Sequence, residues 1–205
     1  MYQKIGRFTP ATSGTNPSRG GYHGGLIVEG GGKYKDLTLG GKHYFAFCQT
    51  QDVALYTATA AIGLIVYNPA TSGVNMVPGK WSVTVWATSA TMTGMVLAVS
   101  AQTIVPTTTT AATLTGKSLL TGSTGLAAGS CIAYSVATIQ VAPVIAWPLF
   151  HNTAAINTVG SEVIDGDLEG AFAFAPGTVA VIGALGAAGV DVNIGLTWEE
   201  VPVGM

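Results

Sequence analysis

The chain has 205 residues, of which 9% are charged and 48% hydrophobic, with a formal net charge of −2. A soluble monomeric domain usually carries about 25% charged residues, so much of this surface must be Thr, Ser, Ala and Gly, as suits a chain packed against other chains. The near-neutral balance offers no general attraction to nucleic acid, and two cysteines without CxxC or histidine-rich spacing give neither a disulfide framework nor a metal site.

Charge is unevenly placed. Up to Asp52 there are six basic residues (Lys4, Arg7, Arg19, Lys33, Lys35, Lys42) against three acids; residues 53 to 161 hold only Lys80 and Lys117; from Glu162 onward there are seven acids and no Lys or Arg. Opposite ends of opposite sign could attract one another between subunits, subject to screening by salt; solvated faces are the plainer reading.

Residues 1–23 read as an extended basic arm. Met1 to Arg7 has no apolar core of the kind a signal peptide needs, and Thr9 to Gly21 is built of turn formers with almost nothing to bury, so a partner would have to order it. Its Lys4, Arg7, Arg19 and Tyr22 are the candidate contacts with that partner. Residues 24–205 read as one β-sandwich domain, a length at which single-domain sandwiches are common. Leu26 to Val28 lies between glycine clusters, and Lys33 to Leu39 alternates as a strand does.

From Lys42 onward short β-type runs follow one another, with no helical period longer than two turns. The spacing predicts strands at His43 to Gln49, with Phe45 and Phe47 on a common face, at Ile62 to Tyr67, and at Trp81 to Thr88, where Trp81, Val83, Val85 and Ala87 share the buried face. Further strands fall at Met95 to Val99, at Cys131 to Ile139 with Ile132, Tyr134 and Val136 aligned, and at Val144 to Phe150. Leu168 to Phe174, Val179 to Leu185 and Asp191 to Trp198 complete the set, the last with Val192, Ile194, Leu196 and Trp198 inward. Turns are expected at Asn68 to Gly73, Pro78-Gly79 and Pro176-Gly177. Thr103 to Gly129 reads as a long exposed loop with a ragged strand near Leu119 and Leu120. The uncharged run Gly170 to Val190 holds Pro176 and Gly177 in its middle and is flanked by acids, which favours two strands over a membrane span. Nine or so strands without alternating helices predict an all-β antiparallel sandwich, jelly-roll-like.

Candidate chemistry is thin. Ala111 to Ser118 nearly matches a phosphate-binding loop but has Ala111 where glycine is required and no strand-to-helix setting, so Lys117 reads as a solubilising charge. Asp165-Gly-Asp167-Leu-Glu169, with Glu162, could converge on a hard cation, but an acidic turn between strands explains it more simply. Glu199-Glu200 reads as a solvated strand end. His23, His43 and His151 show no metal spacing, and His43 and Cys48 fall on opposite faces of one strand, which opposes a base-nucleophile pair. Cys48 and Cys131 read as small buried hydrophobes of a protein made in a reducing cytoplasm. Most aromatic residues read as core; Trp86, on the polar face of its strand, is the candidate interface anchor or ligand platform. No catalytic set and no cofactor or metal site emerges.

Two segments resemble ones that recur in tailed-bacteriophage virion proteins: Ile62 to Asn75 (IGLIVYNPATSGVN) followed by the strand from Trp81, and Leu168 to Pro202, from LEGAFAFAPGT to LTWEEVP. The resemblance covers about two thirds of the chain and consists of turn and strand patterns. It implies a jelly-roll capsid decoration (cement) protein, or a head or tail fibre component, trimeric and without enzymatic residues. The expected partners are other copies of the chain and the major capsid protein or other virion subunits, with no direct nucleic acid and no membrane, and the expected location is the virion. The rival expectation is a fibre or adhesin module that binds host cell-surface glycan through Trp86 and the Thr103 to Gly129 loop.

Overall fold

Ten strands account for the architecture, and each is explained by what it pairs with. In chain order they are β1 (His43–Thr50), β2 (Ala60–Asn68), β3 (Val74–Thr88), β4 (Met92–Ala101), β5 (Thr113–Ser118), β6 (Ala128–Thr138), β7 (Val144–Ile156), β8 (Ile164–Asp167), β9 (Thr178–Leu185) and β10 (Val190–Pro202). The structure, a computed structural model, describes residues 38–50, 52–88, 92–108, 113–119, 128–156, 163–186 and 190–204. The arm of residues 1–23, with Lys4, Arg7, Arg19 and Tyr22, and the run Leu26 to Val28 lie outside the described residues.

All ten strands form one antiparallel sheet in the order β7-β4-β9-β2-β6-β5-β1-β10-β3-β8. The pairing is nested: β1 pairs with β10, β2 with β9, β3 with β8, β4 with β7 and β5 with β6. The chain is thus a doubled ribbon with the β5–β6 hairpin at its tip. Rolling the ribbon adds the pairs β3–β10 and β4–β9, which produces two four-stranded layers, β1-β10-β3-β8 and β2-β9-β4-β7. That is the jelly-roll topology expected from the sequence. The tip hairpin then inserts between the layers, β5 against β1 and β6 against β2, so the sheet is continuous on that side, and among the described residues the edge strands are β7 and β8.

The core lies between the layers. Val83 and Val85 of β3, Leu64 and Val66 of β2, Met95 and Leu97 of β4, Ala180 and Ile182 of β9, and Val192 to Trp198 of β10 form one buried cluster. The inward faces predicted for Trp81, Val83 and Val85 and for Val192, Ile194, Leu196 and Trp198 are as the alternation requires. A second cluster, with Ile65, Tyr67, Tyr134, Val179 and Val181, occupies the opposite face of β2, β6 and β9, which is why those strands read as continuous apolar runs.

Several expectations are corrected. In β1 the inward residues are Ala46 and Cys48, while Phe47 is 56% exposed; the small residues sit opposite Leu196 and Ile194 of β10, where large neighbours already fill the interior. Pro78-Gly79 is no turn, because β3 runs through it with a register shift against β10, as proline in a strand requires. Asp165-Gly-Asp167 is not a turn but β8 itself, and residues 168–173 form a loop. The Thr103 to Gly129 stretch contains β5, earlier than the ragged strand expected at Leu119 and Leu120. Thr38 and Leu39 are helical, with the Gly41 N–H donating to Thr38 O at 3.0 Å, instead of ending a strand; residues 33–37 of that expected strand lie outside the described residues. Among the described residues no helix is long and apolar enough to cross a membrane.

The two faces of β1 and β10 make a stability test. Ile194→Ala, which opens a cavity in the interior, should cost about 2–5 kcal/mol in chemical denaturation, whereas Phe47→Ala should change the unfolding free energy by about 0.5 kcal/mol or less.

Candidate functional site

Three regions bear on function: a polar clamp in the interior, the outer face of the β1-β10-β3-β8 layer, and the two free edges. The clamp centres on Glu200, which continues the inward face of β10 and is 6% exposed. Its carboxylate accepts the backbone N–H of Ser130 at 2.8 Å, that of Cys131 at 2.9 Å, and the Trp198 indole N–H at 3.3 Å. Ser130 and Cys131 belong to β6, separated from β10 in the sheet by β5 and β1, so the clamp crosses the interior where the tip hairpin enters. Tyr44 stacks on Trp198 with ring centroids 6.2 Å apart. Position 129 is glycine because a Cβ there would collide with the Glu200 carboxylate and approach the Tyr44 ring to 3.0 Å. The solvated strand end expected for Glu199-Glu200 is therefore wrong for Glu200: three donors make up for its lost water.

The neighbouring titratable groups are held in inert forms. Burial pushes the Cys48 thiol up to about 12, opposed by a hydrogen bond with the backbone of Ile194, and the Cys48 thiol donates to Gly63 O at 3.7 Å. Burial, then the negative charge of Glu200, raises Cys131 further. Tyr44 is raised by burial and then by Glu200 and Cys131. Both cysteines are free and buried, as read from the sequence. His43 lies on the other face of β1 from Cys48, itself buried at 4% exposure beside Thr38 Oγ1, 3.2 Å from its Nδ1, and Cys48 faces the core, so the two are on opposite sides of the strand.

The outer face of the β1-β10-β3-β8 layer is laid out by register. One row runs Phe47, Gly195, Ser82, Asp165, and the next runs Gln49, Asn193, Thr84. At Gly195 a Cβ would stand 2.8 Å from Ser82 Oγ and 4.0 Å from the Phe47 ring, so the aromatic ring borders a shallow polar floor. Trp86 is on this outer side, half-buried, and its indole N–H is shut off from solvent without an acceptor among the described residues. The acids of β8 do not gather with other ligands: Asp165 and Asp167 are exposed, Asp167 Oδ1 accepts the Glu169 N–H at 2.8 Å, and Glu162 lies outside the described residues. Among the described residues no three of His, Cys, Asp and Glu are placed to hold a metal ion. The near-match to a phosphate loop ends in strand β5, with Lys117 paired to Phe45 and Ala128, and Ala111 lies outside the described residues.

The free edges differ. β8 is four residues long and carries two aspartates, both of which discourage pairing with a stranger. β7 is 13 residues long and uncharged. Between these edges the loop after β8 lies across the gap: Phe174 exchanges backbone hydrogen bonds with Met76 of β3 at 2.8 and 2.9 Å, stacks on Phe172, and Phe172 meets Trp147 of β7 edge-on at 5.8 Å. Trp147, read from the sequence as core, is 49% exposed on this edge.

No protein-family model matches the chain, and no curated protein or solved structure matches it.

Removing the Glu200 carboxylate strands three donors, so Glu200→Ala should cost about 2–4 kcal/mol in urea denaturation, with a smaller loss for Glu200→Gln. Two groups at one register position on the outer face should tilt the pH dependence in opposite directions. Burial lowers His43 below its ordinary 6.5, so the stability given by its neutral form is complete above that pH and lost as pH falls through the lowered value. Burial raises Glu199 above its ordinary 4.5, opposed by Lys42, so its contribution is present below that pH and lost as pH rises through the raised value. His43→Gln should flatten the fall in denaturation midpoint below about pH 6.5, and Glu199→Gln should flatten the loss above about pH 4.5.

Proposed function

We propose that the chain is a non-enzymatic structural subunit of a tailed-phage virion, specifically a capsid decoration (cement) protein that binds and stabilises the capsid as a homotrimer. The observation that carries the reading is a jelly roll closed on one side by its own hairpin and, among the described residues, left with one long, uncharged edge on the other. Such an edge is a liability on a free monomer and suits a subunit packed against its copies. The thiols are buried and held protonated, and the buried carboxylate is engaged by three donors within the fold. The low charge and the resemblance of two segments to phage virion proteins add support. In this reading the basic arm, with Lys4, Arg7, Arg19 and Tyr22, reaches across to capsid subunits.

Deleting residues 1–21 should leave a folded oligomer that no longer decorates capsids in a co-sedimentation assay. Undiminished decoration by the truncated protein would remove the arm from the binding surface.

A second reading, a fibre or adhesin module that recognises host glycan, is favoured by the outer face of the β1-β10-β3-β8 layer. Phe47 beside the Gly195 floor, the hydroxyls of Ser82 and Thr84, and the amides of Gln49 and Asn193 form an aromatic platform with polar groups, the composition that stacks and hydrogen-bonds a sugar ring. Saturable binding on a glycan array, lost in Phe47→Ala or Trp86→Ala, would favour this reading over the cement protein.

A further inference from the structure

Six of the eleven large apolar residues left exposed among the described residues gather in two neighbouring segments. Ile104, Val105, Val141, Val144, Ile145 and Trp147 are each between 43 and 66% exposed, and they come from two segments that the fold brings together. Val144, Ile145 and Trp147 belong to β7 and pair in register with Val99, Ala98 and Leu97 of β4. Ile104 and Val105 follow the end of β4, and Val141 lies just before β7.

A buried glutamine holds these segments in place. Gln102 is 3% exposed; its Nε2 donates to Ser100 Oγ at 2.6 Å and to Val141 O at 3.0 Å, and its Oε1 accepts the N–H of Gln140 at 2.7 Å. Gln140 returns the contact, its Oε1 accepting the Thr103 hydroxyl at 2.6 Å and the Thr103 N–H at 3.2 Å. The loop carrying Ile104 and Val105 is thereby tied to the segment carrying Val141 before any partner arrives. Preorganisation of this kind lowers the ordering cost of association.

We propose that this edge, β7 with residues 102–105 and 141, lies at a three-fold axis and is the surface through which copies of the chain assemble, each edge packing between those of its two neighbours. The inference rests on the oligomeric reading above and names where the copies meet. Two features select a second copy as the occupant. Summed over both faces of the edge, since Ile145 stands opposite Ala98 while Val144 and Trp147 stand opposite Val99 and Leu97, the six residues expose on the order of 600 Å², most of the roughly 800 Å² each partner contributes to a standard interface. No Asp, Glu, Lys or Arg occurs between Lys80 and Lys117 or between Lys117 and Glu162, so like can be brought against like without repulsion. A partner chosen by charge would find nothing here to read.

The contact is made through side chains more than through an added strand. β7 pairs with β4 through three register shifts, and Pro148 stands between two of them. A proline lacks the N–H an incoming strand needs, and irregular register breaks the row of donors and acceptors.

The test uses the full chain and size-exclusion chromatography with light scattering. The unmodified protein should run at three times 20.8 kDa. Ile145→Asp and, separately, Ile104→Asp should weaken association by about 100-fold or more and yield a monomer with an unchanged far-UV circular dichroism spectrum; Phe47→Asp, an exposed residue on another face, should leave the oligomer intact. Folded Ile145→Asp and Ile104→Asp proteins that remain oligomeric would overturn the assignment of this edge while leaving the oligomer standing, and dissociation by Phe47→Asp alone would move the interface to the outer face. An unmodified protein that is monomeric up to its solubility limit would overturn both the assignment and the homotrimer. Should Ile145→Asp fail to fold, Ile104→Asp, in a loop outside the strands, decides the matter alone.

Discussion

The Glu200 carboxylate fastens the two layers of this protein where the doubled chain closes on itself. It projects from the last strand into the interior and gathers two backbone N–H groups of β6 and the Trp198 indole. A buried carboxylate is tolerable only when its hydrogen-bonding capacity is met, and it is costly to disturb once met. The stack of Tyr44 on Trp198 and the missing side chain at Gly129 clear the space for it. With β6 held to β10 across the core, the tip hairpin is fixed between β1 and β2, and two of the four edges that an open jelly roll would expose no longer exist.

What remains exposed follows from that closure. Among the described residues the edges are β7 and β8, and they are treated in opposite ways. β8 is kept short and acidic. The aromatic series Phe174, Phe172 and Trp147 fills the gap between the edges from the β3 side. β7 is neither short nor charged, and beside it the Gln102 and Gln140 hydrogen bonds present more apolar residues in a fixed arrangement. The charge-free stretches on either side of Lys117 thus include the whole of the β7 edge.

How much of this was legible beforehand depended on whether a strand is stabilised by its side chains or by its backbone. β3 and β10 could be read from alternation because each buries one apolar face. β5, with the sequence TLTGKS, carries no such pattern; it is a strand because β1 and β6 offer hydrogen-bonding partners on either side. β8 was concealed by the turn-like composition of Asp165-Gly-Asp167; in β1 the shared face of Phe45 and Phe47 was legible, but not that it is the outer one, with the interior taking the smaller Ala46 and Cys48. Glu200 gave no signal at all, since a carboxylate beside another carboxylate near the end of a chain looks solvated. The outward position of Trp86 was legible from its strand's alternation; the orphaned indole N–H was not.

Hydrogen–deuterium exchange of the full chain at high and low concentration reads the assembly edge directly. Slower exchange of the amides in 102–105 and 141–151 at high concentration, with Phe47, Gly195 and Ser82 unchanged, is the expected result. Exchange at that edge independent of concentration, or protection confined to the outer face of β1, β10 and β3, would contradict assembly through β7.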